Sequence, residues 1–473
     1  MDESRDDIDT WLEERVTPLL PRPGTFDQVR KRARRRKLRQ AALATAGAAV
    51  VVAGAIVVPR LVLSGHVGGS PVAVSGSTTP VHKNSPSPAP PSPSDTPGPQ
   101  TASATATPTV PPVPPNFAAS SVTFVSTNVG WVIGQAGTPG QCGPPDAYIC
   151  TSLAATSDAG KAWRGMPAPV TGAPDGDTGV SQVRSLDGAS GWAFGPQLYA
   201  THNGGQAWKR IATHGMRVTG LETVNGFAFA IWARCAGAGL DFAADCTSFS
   251  LYSSPAGQDN WTPVAGATGL SGPAGAPASA QLVLTGGPGG QGYLLAPDGT
   301  LISGPLTSPA PWRPVTAPQG APARLACAPG AAGTDGHPLR AMLAATGPGL
   351  VLLCADRGSG DTQVKTLYYS ADRGRSWNLA GGGPARGIAM SLSGTPDGPV
   401  LVATNDGIDV SANAPGNGPL GWRTARGAAP PGGYSYVGMT SSAQGVAVPA
   451  NTGLDAVWFT YDGGAHWRKS PVR

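Results

Sequence analysis

The sequence predicts an all-β protein, a seven-bladed β-propeller over residues 117–473, preceded by a single transmembrane helix and a disordered Pro/Ser/Thr-rich stalk. Three observations carry this reading. Tryptophans recur at the interval of a four-stranded blade. Short alternating apolar segments, bounded by glycine-rich turns, fill those intervals. Upstream, an uncharged apolar run stands between a basic cluster and a proline-rich tract.

Residues 1–39 read as a short cytoplasmic segment. Residues 1–29 carry eight acids against three bases, whereas residues 30–39 (RKRARRRKLR) carry eight of the 33 basic residues. From residue 40 onward 22 bases face 20 acids, so the net charge of +5 comes from one short run. That excludes a basic nucleic-acid-binding face. Solvated topology charge is the simpler reading of the run, with contact to anionic lipid head groups as the other. Ile8, Trp11, Leu12 and Val16 fall at helical spacing and suit a short amphipathic helix.

Residues 40–63 are assigned to the transmembrane helix. The core of that segment, AALATAGAAVVVAGAIVV at 41–58, is uncharged and would span roughly 27 Å as a helix, close to the hydrocarbon thickness. The basic run at its N-terminal end keeps the N-terminus cytoplasmic and exports the rest. A cleaved signal peptide would need a short basic region and a small-residue cleavage site, and neither is evident.

Residues 64–116 form the stalk. They lack hydrophobic periodicity and cannot bury enough apolar surface to offset their ordering entropy. At about 3.1 Å per residue in polyproline II, the tract reaches about 160 Å, enough for a spacer through a cell-wall layer. Only 13% of the chain is charged, and Gly (67) and Pro (49) together supply both this tract and the many turns beyond it. Arg outnumbers Lys and Ala is abundant, which suits a GC-rich, for example actinobacterial, genome.

Trp163, Trp208, Trp261, Trp312, Trp377, Trp422 and Trp467 mark seven units spaced 45, 53, 51, 65, 45 and 45 residues apart. In each unit a first apolar strand (VTFVS at 122–126, VGMTS at 437–441) leads to a second (GWVIG at 130–134, GWAFG at 191–195). A third runs into a turn (SLAATSDAG at 152–160, VWFTYDGG at 457–464), and a fourth follows the tryptophan. Four turns share one pattern: SDAGKAW at 157–163, HNGGQAW at 202–208, SADRGRSW at 370–377 and YDGGAHW at 461–467. Degraded relatives are SSPAGQDNW at 253–261, SPAPW at 308–312 and GNGPLGW at 416–422.

These turns resemble the Asp-box (BNR) repeat, S-x-D-x-G-x-T-W, of sialidase-like and photosystem-assembly-like (YCF48-type) propellers. The resemblance covers about three quarters of the chain and implies a fold more than a function. In those families the box lies away from the active centre, which implies a structural role here. Asp158, Asn203, Asp372 and Asp462 would bond turn amides. Gly160, Gly205, Gly374 and Gly464 would supply positive φ. Trp163, Trp208, Trp377 and Trp467 would cover the neighbouring blade.

All six cysteines follow the apolar run, as expected of an exported, oxidised domain. On the propeller reading Cys142–Cys150 share the second-to-third loop of blade 1 and Cys235–Cys246 that of blade 3. Cys327–Cys354 would join the first and second strands of blade 5. Metal or redox chemistry is the competing reading, but no C-x-x-C occurs and no His adjoins a Cys. No metal and no cofactor is expected.

The longest second-to-third loops are 136–151, 234–248 and 356–364, so that end of the propeller is the elaborated one. Arg184, Arg217, Arg324 and Arg386 stand just before first strands and are the candidate anion-binding residues at the channel mouth. The alternative is that they cap strand entries and bond blade carbonyls. The resemblance also raises a glycoside hydrolase. A sialidase implies an Arg triad, a Tyr nucleophile with a Glu partner and an acidic Asp, yet the family's R-I-P motif is absent. Glu222 is the only Glu after residue 117, and it could face either packing or the channel. Asp146, Asp241, Asp245, Asp356 and Asp361 lie on the elaborated loops, but nothing selects a catalytic pair. No catalytic residue is assigned. The expected function is a membrane-tethered extracellular binding or scaffolding module for a cell-surface glycan or protein. The alternatives are a sialidase-like hydrolase or an assembly factor for a membrane complex.

Overall fold

A computed structural model describes residues 111–137, 149–174, 177–235, 246–272, 279–286, 289–307, 310–320, 325, 327, 339–347, 349–356, 358, 362–396 and 398–473. The segments expected to be cytoplasmic (1–39) and transmembrane (40–63), and most of the expected stalk, lie outside the described residues, as do Cys142, Arg324, Asp146, Asp241, Asp245 and Asp361. Among the described residues no helix is long and apolar enough to cross a membrane.

The described chain is a seven-bladed β-propeller. Blade 1 is β1 (Ala118–Phe124), β2 (Gly130–Ala136), β3 (Ile149–Thr156) and β4 (Arg164–Met166). Blade 2 is β5 (Gln182–Ser185), β6 (Gly191–Phe194), β7 (Leu198–Thr201) and β8 (Lys209–Arg210). Blade 3 is β9 (Arg217–Val224), β10 (Phe227–Cys235), β11 (Cys246–Pro255) and β12 (Thr262–Pro263). Blade 4 is β13 (Gln281–Leu284), β14 (Gln291–Leu295), β15 (Leu301–Pro305) and β16 (Arg313–Pro314). Blade 5 is β17 (Arg340–Thr346), β18 (Gly349–Ala355), β19 (Lys365–Ser370) and β20 (Asn378–Gly382). Blade 6 is β21 (Ala389–Gly394), β22 (Val400–Thr404), β23 (Ile408–Ser411) and β24 (Trp422–Thr424). Blade 7 is β25 (Tyr434–Met439), β26 (Gly445–Pro449), β27 (Ala456–Thr460) and β28 (Arg468–Pro471). Each is an antiparallel meander of consecutive strands.

The second strands are buried on both faces, as in GWVIG and VLVAT, because each is the middle of a blade pressed between two neighbours. The core is therefore seven apolar layers, one per seam. Trp312, for example, lies 1% exposed between blades 3 and 4, its ring 5.8 Å from that of Phe229. First strands line up around the axis and are cross-linked by polar side chains. Thr123 Oγ1 accepts from the Ser185 amide (3.3 Å), Thr223 Oγ1 donates to the Ser185 carbonyl (3.1 Å), and Gln281 Oε1 accepts from the Leu343 amide (2.9 Å).

The four best box turns share one hydrogen-bond pattern. The hydroxyl of Thr156, Thr201, Ser370 or Thr460 donates to Oδ1 of Asp158, Asn203, Asp372 or Asp462 at 2.8–2.9 Å. The same hydroxyl accepts the amide of Gly160, Gly205, Gly374 or Gly464 at 2.7–3.1 Å. Oδ1 also accepts the amide four residues on, at 2.9–3.0 Å. Those glycines have φ of 80–89° and press on the preceding blade, where a Cβ would collide with Phe459, Met166, Leu301 or Leu401 respectively. The box tryptophans cover the same seams: Trp163 Nε1 donates to Ser470 Oγ of blade 7 (3.3 Å) and Trp208 Nε1 to the Pro167 carbonyl (3.0 Å).

The ring closes without a shared strand, since blade 7 keeps its own four. Phe124 meets Phe459 edge-on at 5.5 Å, and Tyr461 donates to the Ala159 carbonyl (2.8 Å). Val113 and Phe117 of the entry segment bury themselves with Val472 in the same seam.

One strand assignment needs correction. Cys327 is not on the first strand of blade 5, which is β17 (RAMLAAT); it lies in the connection ahead of it. The turn joining Thr346 to Gly349 makes β17 and β18 a tight hairpin, and the earlier apolar residues Leu325 and Cys327 pack into the seam between blades 4 and 5.

Candidate functional site

Strand direction sorts the molecule into two ends. The box turns lie at one. The entries into first strands and the connections between second and third strands lie at the other. All five described cysteines fall at that second end. Cys235 and Cys246 close the β10–β11 loop at its root, and Cys327 is bridged to Cys354 at the end of β18 with Cα atoms 5.4 Å apart. Cys150, at the start of β3, is also disulfide-bonded, while Cys142, its expected partner, is outside the described residues.

The three described candidate arginines, Arg184, Arg217 and Arg386, occupy different blades. Arg184 lies within β5 rather than before it and reaches into the central channel. Its Nε donates to Glu222 Oε1 of β9 at 3.0 Å, and Nη1 donates to the Val183 carbonyl (2.9 Å) and Ser121 Oγ (3.3 Å). Burial opposes its charge, but Glu222 and Tyr436 outweigh that and hold the guanidinium above its usual range. Tyr436 is pushed up by burial, with Arg184 pulling the other way. These groups and Thr123 and Thr223 line a channel cavity of about 290 Å³. Gly438 leaves room for the Tyr436 hydroxyl, which a Cβ would strike.

Arg217 opens β9 and pairs with Asp177 from the connection into blade 2. Arg386 precedes β21 and is exposed, its Nε 3.2 Å from Asp406 Oδ2. So each described candidate arginine has its own carboxylate. The Arg386 backbone also belongs to a buried cluster: Lys365 Nζ donates to the carbonyls of Gly387 (2.6 Å), Gln363 (3.1 Å) and Arg386 (3.3 Å). Burial lowers the Lys365 ammonium, with Asp409 and Asp356 acting against it. Asp356 accepts the Val364 amide at 3.0 Å and closes the β18–β19 loop. Sequence reasoning missed these pairings. The isolation of Glu222 as the propeller's one glutamate was the available signal for a charge with a fixed partner.

No family model matches the chain, and no curated protein is similar to it in sequence. Similar solved structures include YCF48 bound to D1 peptide (16% identity, TM-score 0.46), covering 75% of this chain and 99% of that one. The BP39L lectin from Burkholderia pseudomallei has 14% identity, a TM-score of 0.46 and the same two coverages. An ancestral GH74 enzyme has 13% identity and a TM-score of 0.44, covering 75% of this chain and 45% of that one. The likeness is one of fold.

Proposed function

We propose that the chain is a membrane-tethered binding or scaffolding module that holds its propeller outside the cell for a protein or glycan partner. One observation carries the reading: every described cysteine sits at the end where second-to-third loops emerge. Disulfides there fix loops on a rigid scaffold, which lowers the ordering cost of binding. The D1 peptide is what YCF48 holds in its own structure; a protein partner for this chain rests on its stapled loop end. In the channel, Glu222 is a counter-ion to Arg184, a poor arrangement for a general acid.

The test uses full-length oxidised chain in detergent against a glycan array and against surface proteins crosslinked on intact cells. Binding that is lost in Cys235→Ser/Cys246→Ser, with no product from chromogenic glycosides, is the expected outcome. Glycoside turnover that disappears in Glu222→Gln would replace the binding module with a hydrolase.

A further inference from the structure

A second cavity lies at the opposite end, on the outer edge of the seam between blades 4 and 5. It has a volume of about 560 Å³, within the range of small-ligand sites. One wall is blade 4: Arg313 of β16, Ser303 of β15 and Gln291 of β14. The other is the box turn of blade 5, with Asp372, Arg373 and Arg375.

The charges here differ from those in the channel. None of the three guanidinium groups has a carboxylate partner among the described residues. Asp372, the one acid in the lining, is engaged within its turn: Oδ1 accepts from the Ser370 hydroxyl (2.9 Å) and the Ser376 amide (2.9 Å), and Oδ2 from the Ser376 hydroxyl (2.6 Å). Burial pushes Asp372 up, the bonds from Ser376 and Ser370 outweigh it, and the carboxyl stays ionised at neutral pH. Three positive charges face one negative one.

The backbone adds an independent observation. Arg373 has φ 64°, the left-handed region that side chains disfavour. The equivalent residues are Gly204 and Gly463 in blades 2 and 7 and Ala159, the smallest side chain, in blade 1, with φ of 69°, 72° and 66°. A long side chain held there against steric preference, at the mouth of a cavity, is the kind of outlier that marks a functional position. Arg373 also acts on blade 4, its charge pulling down the Tyr293 phenol that burial pushes up.

We propose that Arg313, Arg373 and Arg375 form a binding site for a phosphate or sulfate group in the seam between blades 4 and 5. Guanidinium groups match the oxygens of a tetrahedral dianion in paired hydrogen bonds, and the excess positive charge suits a doubly negative group better than a single carboxylate. Gln291, Ser303 and Thr316 supply neutral hydrogen-bonding groups beside it. The cavity exceeds what a bare ion fills, so the organic part of an ester can enter with it.

The experiment is calorimetric titration of the full-length oxidised protein with inorganic phosphate, inorganic sulfate, glucose 1-phosphate and glucose, at constant ionic strength. Saturable binding of the anions but not of glucose is expected. Tighter binding of the ester assigns the site to esterified sugar, and equal binding to the free ion; both support the site. Arg313→Gln/Arg373→Gly/Arg375→Gln should weaken binding by about ten- to hundredfold. The Arg373→Gly change relieves the backbone, so the variant should keep its melting temperature. Should that variant not fold, Arg313→Gln alone, on the opposite wall, gives the same reading. No saturable binding by the wild type, or an unchanged Kd in a folded variant, overturns the proposal.

Discussion

In the central channel Arg184 is bonded to Glu222, Ser121 and its own strand, and is 16% exposed. In the seam groove Arg313, Arg373 and Arg375 are exposed and have no carboxylate partner among the described residues. Both are cavities with arginine in the lining, yet they are built for different ends. A guanidinium with a counter-ion from the next blade joins two blades. One held out to water, in a backbone conformation it disfavours, contributes little to the fold. The difference teaches that pairing, rather than the count of basic residues, separates a structural charge from a binding one.

The largest effect should come from Gly374, the buried glycine between the groove residues Arg373 and Arg375, which is structural even though they are not. Gly374 has φ 85°, and a Cβ there would collide with Leu301. Gly374→Ala should destabilise the chain by about 2–4 kcal/mol, from the left-handed backbone and the overpacked seam together. Gly215 has φ 79° but open space around its Cα, so Gly215→Ala should cost only the backbone part, about 1–2 kcal/mol. Urea unfolding of the full-length chain measures both. Equal losses would mean that the box glycine matters for φ alone and that seam contact is incidental.

Next is the channel pair. Glu222→Gln leaves Arg184 without its counter-ion, and about 1–3 kcal/mol should be lost, with the lower end favoured because the Glu222 side chain is 36% exposed. Glu222→Gln combined with Arg184→Met should recover part of the loss. A neutral effect of Glu222→Gln would remove the distinction between channel and groove.

The blades were legible because their marks are local. The hydroxyl–Asp–Gly turn fits within five residues, and the tryptophan that follows reports the seam. Two of the disulfides pair as expected, since Cys235 and Cys246 flank one loop and Cys327 meets Cys354, although the strand expected under Cys327 forms later in the chain. What was not legible depends on neighbouring blades. Arg184 and Glu222 are 38 residues apart and meet only because β5 lies beside β9. Arg313 and Arg373 face one groove only because the box turn of each blade rests on the blade before it, as Gly374 on Leu301 shows. The sequence did hold one clue to the groove: arginine at a box position where two other boxes have glycine.

The smallest effect concerns the box acids, which belong to the structural side of the comparison even where one borders the groove. Asp158 is held below the usual carboxylate range chiefly by the Ala162 amide. In Asp372 and Asp462 burial acts upward, but hydrogen bonds from Ser376 and Ser370, and from His466 and Thr460, outweigh it. A carboxyl whose folded pKa lies below its unfolded value stabilises the fold above the unfolded value, about 4, and loses that contribution as pH falls through the folded one. Blade 2 provides the control, because Asn203 makes the same turn without a titrating group, its Oδ1 accepting the Ala207 amide at 3.0 Å. Asp158→Asn/Asp372→Asn/Asp462→Asn should therefore cost only about 0.5 kcal/mol per turn at neutral pH. Its melting temperature should fall less steeply than the wild type's between pH 4 and about pH 2. An equally steep fall would mean that the box carboxyls do not carry the propeller's acid sensitivity, and that their turns act through hydrogen-bond geometry alone, as Asn203 does in blade 2.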